Sequence, residues 1–181
     1  GGAVAMAWAL NDPAGTGAVG SLAGATMPWE GELGPWYRIT GSAFGGATVV
    51  PLVSAFAPVG RADAAIARIF TPDPVPDGYA EYVGAGLTLR PETLRANARQ
   101  VNGLKPHVAA MAEAYPGLVV PVEILHGTAD RVVGAQIHAV PMSERLPNAR
   151  LTLLDGVGHM PHHARPDAVI AAIRRAVQAT R

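Results

Sequence analysis

Val120-Pro-Val-Glu-Ile-Leu-His-Gly-Thr-Ala-Asp-Arg-Val-Val133 and, after a helix-sized interval, Leu151-Thr-Leu-Leu-Asp-Gly-Val-Gly-His159 are the two runs that decide the fold. Val122 to Leu125 and Leu151 to Leu154 are short apolar stretches bounded by Pro and Gly, which predicts strands buried on both faces of a parallel sheet. Asp130 and His159 each fall just past such a strand. In open parallel sheets, side chains converge at the carboxyl ends of the strands, where functional sites gather. A carboxylate and an imidazole brought together there form the orienting half of a nucleophilic triad. The imidazole takes a proton from a nucleophile or water, while the carboxylate fixes its tautomer and stabilises the imidazolium. Taken singly, Asp130 reads as a turn or helix cap and His159 as an ordinary loop residue. The strand context at both positions favours the pair.

Outward from these runs, Pro166 to Val177 has Pro at its start, apolar residues at 169, 170, 173 and 177, and Arg174, Arg175 and Arg181 late, which predicts an amphipathic helix packed on the sheet. Gly134 to Leu146 is expected to be a helix interrupted by Pro141. Toward the N-terminus, Ala3 to Leu10 is apolar on every side, the pattern of a helix buried in a larger protein. Asn11-Asp-Pro-Ala-Gly15 stops it, and Ala18 to Ala23 follows as a Gly-rich strand. From Met27 to Gly117 no β alternation is visible. Pro and Gly recur, and Thr48 to Phe56 and Ala62 to Phe70 read as helices joined by loops, with Thr71 to Gly78 a rigid connector. Pro91 and Pro106 each stand at a first helical position, predicting helices to about Val101 and about Tyr115.

The 181 residues are 49% hydrophobic and 15% charged, a globular composition with enough chain for a sizeable core. Fourteen basic and fourteen acidic residues cancel, so nothing favours nucleic acid or an anionic membrane surface as a partner. No run reaches the roughly 18 apolar residues of a membrane span. The absence of cysteine excludes a disulfide framework and thiolate metal sites, and the cytoplasm is the favoured compartment.

His126-Gly-Thr-Ala-Asp130-Arg-Val-Val and Gly158-His159-Met-Pro, with 29 positions from acid to base, resemble the last third of the α/β-hydrolase family. In that family the triad runs nucleophile, acid, histidine, and the nucleophile sits on a G-x-S-x-G strand-to-helix elbow. Gly1-Gly2-Ala3-Val4-Ala5 is similar to the exit of such an elbow, which would place the nucleophile two residues before Gly1. The resemblance implies an α/β fold, the C-terminal part of an α/β-hydrolase, with parallel strands 6 to 8 and flanking helices. It implies three segments: 1–26 as core, 27–117 as a helical cap, and 118–181 as core. Asp130 and His159 are then the catalytic acid and base of a parent that hydrolyses a small carboxylic ester, the Ser lying outside this chain. An Asp nucleophile, as in epoxide hydrolases and haloalkane dehalogenases, is the alternative, and a non-catalytic binding protein of the same fold is a second one. Lacking the nucleophile and the oxyanion-hole amides, the 181 residues alone are expected to be inactive on esters.

Glu30 is a rival acid, because some members of the family carry the carboxylate after the sixth strand. Trp29, Trp36, Tyr79 and Tyr82 are candidates to line a pocket for an apolar or weakly polar small molecule, although residues of this type more often serve internal packing. His159, His162 and His163 suggest a metal site, but Pro161 between them removes helical alignment, and neither a metal nor a cofactor is expected. An unpaired sheet edge is expected to favour association between copies.

Overall fold

The computed structural model describes residues 1–56 and 60–180; Arg181, expected at the end of the last helix, lies outside them. The chain packs as two compact units, one comprising Gly1–Trp29, Ile69–Asp73 and Pro106–Arg181, the other Glu30–Arg68 and Pro74–Lys105. Residues 69–73 and those from 106 onward therefore fold with the first unit, inside the span 27–117 that the sequence assigns to the insertion.

The first unit opens with helix α1 (Gly2–Asn11), followed by strand β1 (Val19–Leu22). Later in the chain come β2 (Val122–Gly127), α7 (Ala139–Arg145), β3 (Ala149–Leu154), the short α8 (Pro161–Ala164) and α9 (Pro166–Gln178). All three strands run parallel in the order β1-β2-β3, with Val19 opposite Val122 and Val122 opposite Ala149. Strand geometry sends alternate side chains to opposite faces. Val122 and Ile124 thus join Met6 and Ala9 of α1 and Ala139 and Met142 of α7 in the main core, whereas Leu125 packs with Val169 and Ala172 of α9. Glu123 on the α9 face is buried but matched: Arg175 donates to its two carboxylate oxygens at 2.9 and 2.7 Å. Such a bidentate pair satisfies the planar carboxylate geometry that a buried acid requires.

Three expectations change here. All of β2 is buried, but β3 is an edge strand with a partner on one side only, and its Leu153 is 40% exposed. Helix α1, apolar all round as expected, buries Met6 and Ala9 against the sheet and leaves Val4 and Trp8 on its far side uncovered. The segment 134–138 forms turns, and α7 starts only at Ala139, with Pro141 in its first turn where the missing N–H costs nothing. Pro91 does open a helix, yet Pro106 does not open a second one: α6 runs unbroken from Pro91 to Ala114. An interior Pro forfeits one backbone bond and crowds the carbonyl four residues before it. Burial of Ala98 on one side of it and of Val108 and Ala112 on the other offsets that cost.

The second unit is helical: α2 (Pro35–Gly41), α3 (Ala43–Phe56), α4 (Gly60–Phe70, whose last two residues fold with the first unit), the one-turn α5 (Tyr79–Tyr82) and the first part of α6. Side chains on α6 tie it to the preceding helices and loop. Arg95 donates to the Gly46 carbonyl at 2.6 Å, Asn102 to Tyr37 at 2.7 Å and Lys105 to Gly31 at 2.8 Å. Among the described residues no single helix is long and apolar enough to cross a membrane; α2 and α3 reach that length only together, with a bend of 104° between them.

Candidate functional site

The turns that follow β2 and β3 are stitched to each other, and this is what brings Asp130 and His159 together. Thr128 N–H donates to the Leu154 carbonyl and Ala129 N–H to that of Val157, both at 3.0 Å. The Thr128 hydroxyl bonds Asp155 at 3.2 Å and accepts the Gly156 N–H at 2.9 Å. Gly156 turns the chain with a φ of +69°, a conformation open to glycine because it lacks a Cβ. Gly127 is needed for a different reason: a Cβ there would overlap the carbonyl oxygens of Val157 and Gly158, so only glycine lets the second turn close over the end of β2. The Gly158 N–H is held by Asp73 Oδ2 at 2.7 Å. The loop leading into His159 is thereby fixed.

Asp130 is fully buried through its side chain and accepts four N–H donors. Its Oδ1 receives the backbone N–H groups of Val132 and Val133 at 2.8 and 2.9 Å. Its Oδ2 receives His159 Nδ1 at 2.8 Å and His126 Nε2 at 3.1 Å. One oxygen thus caps the local turn and the other meets the imidazole. Burial alone pushes this carboxyl up, but the bonds from His126, His159 and the Val133 N–H, with the positive charge that His159 acquires, hold it well below the usual carboxylate range. Because Nδ1 of His159 donates, it carries the proton and Nε2 is left as the basic nitrogen. The His159 side chain is 23% exposed.

His126 and His138 complete the polar surroundings. His126 is wholly buried, and its Nε2 also lies 2.7 Å from the Val133 carbonyl. His138 accepts the Met27 N–H through Nδ1 at 3.2 Å and stands edge-on to Trp29, with ring centroids 6.0 Å apart. Burial first, then the neighbouring His126, lower the pKa of His138 and favour its neutral form. His162 is lowered likewise, by burial and then by His163 and His159. His162 and His163 have ring centroids 4.5 Å apart on α8, and among the described residues no three His, Cys, Asp or Glu side chains gather to hold a metal ion.

Of the other residues picked from the sequence, Trp29 belongs to the first unit and Glu30, Trp36, Tyr79 and Tyr82 to the second. Glu30 is exposed, Trp36 is 41% exposed and Tyr82 is 89% exposed. Tyr79 lines a cavity of about 920 Å³ within the second unit, beside Ile66, Pro76 and Leu89. A cavity of about 400 Å³ in the first unit lies between β1 and α9 and includes neither Asp130 nor His159. Two residues of the site escaped the sequence. Asp73 carries no signal, being 85 positions from its partner. His126 did carry one, since period-2 alternation places it on the same face of β2 as Val122 and Ile124, where a polar side chain requires a partner.

Neither family models nor curated protein sequences give a match to this chain. Solved structures do. The 2-hydroxy-6-oxo-6-phenylhexa-2,4-dienoate hydrolase of Rhodococcus sp. strain RHA1 is 18% identical with a TM-score of 0.75, over 98% of this chain and 61% of its own. The enol-lactonase of Burkholderia xenovorans LB400 is 18% identical with a TM-score of 0.64, over 98% and 62%. A thermophilic esterase of Thermogutta terrifontis is 17% identical with a TM-score of 0.59, over 99% and 62%. At identities this low the likeness shows the fold, that of the α/β-hydrolases, of which this chain carries the C-terminal part. The chain spans about three fifths of the length of these structures.

Proposed function

We propose that this chain supplies the acid and base of an α/β-hydrolase that cleaves a small carboxylic ester, with the nucleophile contributed by residues outside these 181. The observation that carries the reading is the 2.8 Å bond from His159 Nδ1 to a buried, ionised Asp130, which leaves Nε2 as the basic nitrogen of a part-exposed side chain. In the reaction Nε2 takes the proton of a serine hydroxyl as its oxygen attacks the ester carbonyl, then gives it to the departing alkoxide. It next activates the water that frees the acyl group. Asp130 stays ionised throughout and stabilises the imidazolium between the two proton transfers. Two facts support an external nucleophile: no described side chain hydrogen-bonds His159 Nε2, and this chain spans only about three fifths of the length of the similar structures. The esterase and the enol-lactonase among those structures make an ester the leading substrate class. An apolar or weakly polar substrate, a helical cap drawn from residues 27–117 and association through the free edge of β1 belong to the same reading.

A fluorophosphonate probe, which bonds to activated serine, tests this directly. The full-length protein is expected to be labelled and the 181-residue chain alone is not. Labelling of the short chain contradicts an external nucleophile. A full-length protein that resists the probe yet opens epoxides or releases halide points to the alternative with an aspartate nucleophile.

A further inference from the structure

His126 occupies a position where the core calls for an apolar side chain. Its neighbours on β2 are Val122, Ile124 and Leu125, all buried, and it is itself 0% exposed. Nε2 lies 3.1 Å from Asp130 Oδ2 and 2.7 Å from the Val133 carbonyl, both of them acceptors, so this nitrogen must carry a proton. The other nitrogen, Nδ1, is buried with no partner among the described residues. As an unprotonated acceptor it costs roughly 1–3 kcal/mol, whereas an imidazolium there would bury an unpaired N–H as well as a charge, at greater cost. The geometry therefore places a proton on Nε2 of His126 and leaves Nδ1 without a partner among the described residues. A core position that accepts such a penalty requires a compensating contact, and among the described residues the only side chain it meets through a hydrogen bond is Asp130.

We propose that His126 is a positioning residue for the His159–Asp130 pair: its Nε2–H fills the last acceptor site of the carboxylate and holds Oδ2 in line with His159 Nδ1. This rests on the functional reading above for its consequence in catalysis, but not for the contact itself. Oδ1 is already fixed by Val132 and Val133, so the two imidazoles share the single remaining oxygen. The titratable groups facing His126 are Asp130 on the loop after β2, His159 on the loop after β3, and His138 at the start of α7.

The 181-residue chain suffices for the first test. Nitrogen-15 NMR of its histidines is expected to show the His126 proton on Nε2 and none on Nδ1; a proton on Nδ1 overturns the proposal without any variant. In the second test the His159 Nδ1–H resonance, protected by the bond to Asp130, is expected to be lost or broadened in His126→Leu, which removes the donor, and kept in His126→Gln, whose amide retains a donor near Nε2. A folded Leu variant with that resonance unchanged also overturns it. In the full-length protein the Leu change is expected to lower kcat about tenfold with KM little altered, and Gln to restore most of the loss. Should the full-length protein hydrolyse nothing, the NMR results still decide the role of His126. Should NMR refute that role, the 2.8 Å pair and the function built on it are untouched.

Discussion

Asp130→Asn perturbs the site with nearly no change of shape. The amide oxygen can take the place of Oδ1 and keep the N–H groups of Val132 and Val133, but an NH₂ group then stands where Oδ2 met two donors. His126 retains the Val133 carbonyl at 2.7 Å, and His159 can accept from the amide only by moving its proton to Nε2, the wrong nitrogen for a base. Hydrogen bonds to charged groups contribute about 1.5–3 kcal/mol each, so losing one fully and weakening another costs roughly 2–4 kcal/mol at neutral pH. The sign of the pH dependence follows from the carboxyl being held below its unfolded value. Its stabilisation is complete above the unfolded pKa of about 3.9 and is lost as pH falls toward the folded one, at about 1.4 kcal/mol per pH unit. Urea unfolding of wild type and variant at pH 7, 5 and 3, followed by circular dichroism, should show the full gap at pH 7 and 5 and a gap smaller by about 1 kcal/mol at pH 3. Equal gaps at all three values, or a gap under about 0.5 kcal/mol at pH 7, would refute the placement of an ionised, four-fold bonded carboxylate.

Three further perturbations address the framework. His138 is held neutral by burial and by His126, so its folded pKa lies below the unfolded value of about 6.5; stability should fall as pH drops through that value, and His138→Asn should flatten the slope between pH 7 and 5 in the same urea assay. Arg175→Leu strands the buried Glu123 and should cost about 2 kcal/mol, reduced from the fully buried case because Arg175 is 30% exposed; Glu123→Leu added to it should recover most of the loss, and additive losses in that double-mutant cycle would deny the coupling. Tyr115, wholly buried and with its pKa pushed up to about 12 by burial, donates to the Thr26 carbonyl at 2.7 Å, so Tyr115→Phe should lower stability by about 1–2 kcal/mol; an unchanged midpoint would mean that bond contributes nothing.

What could be read from the sequence was local and periodic. The apolar runs at 122–125 and 151–154 announce strands, and residues a few positions past a strand end lie at one edge of the sheet, so Asp130 and His159 were legible as a pair. Pro166 marked the start of α9 correctly because its apolar stripe continues without interruption. The same rule misplaced a boundary at Pro106, where tertiary packing along α6 outweighs the lost backbone bond. Long-range partners had no local trace: nothing near Asp73 indicates that its carboxylate fixes the Gly158 N–H. His126 stands in plain view in the His-Gly-Thr-Ala-Asp run, one position past the apolar stretch 122–125, and only the strand's extension to Gly127 places it in the core. The aromatic residues at 29, 36, 79 and 82 show the limit from the other side, since aromatic character does not tell a pocket wall from Tyr82, which is 89% exposed.

The most direct test of the central claim is kcat/KM for p-nitrophenyl acetate measured on the full-length protein and on its His159→Ala variant. With His159 as the base oriented by Asp130, the variant should lose about 10³-fold or more. Activity retained to within about tenfold would contradict the claim that this imidazole performs the proton transfers.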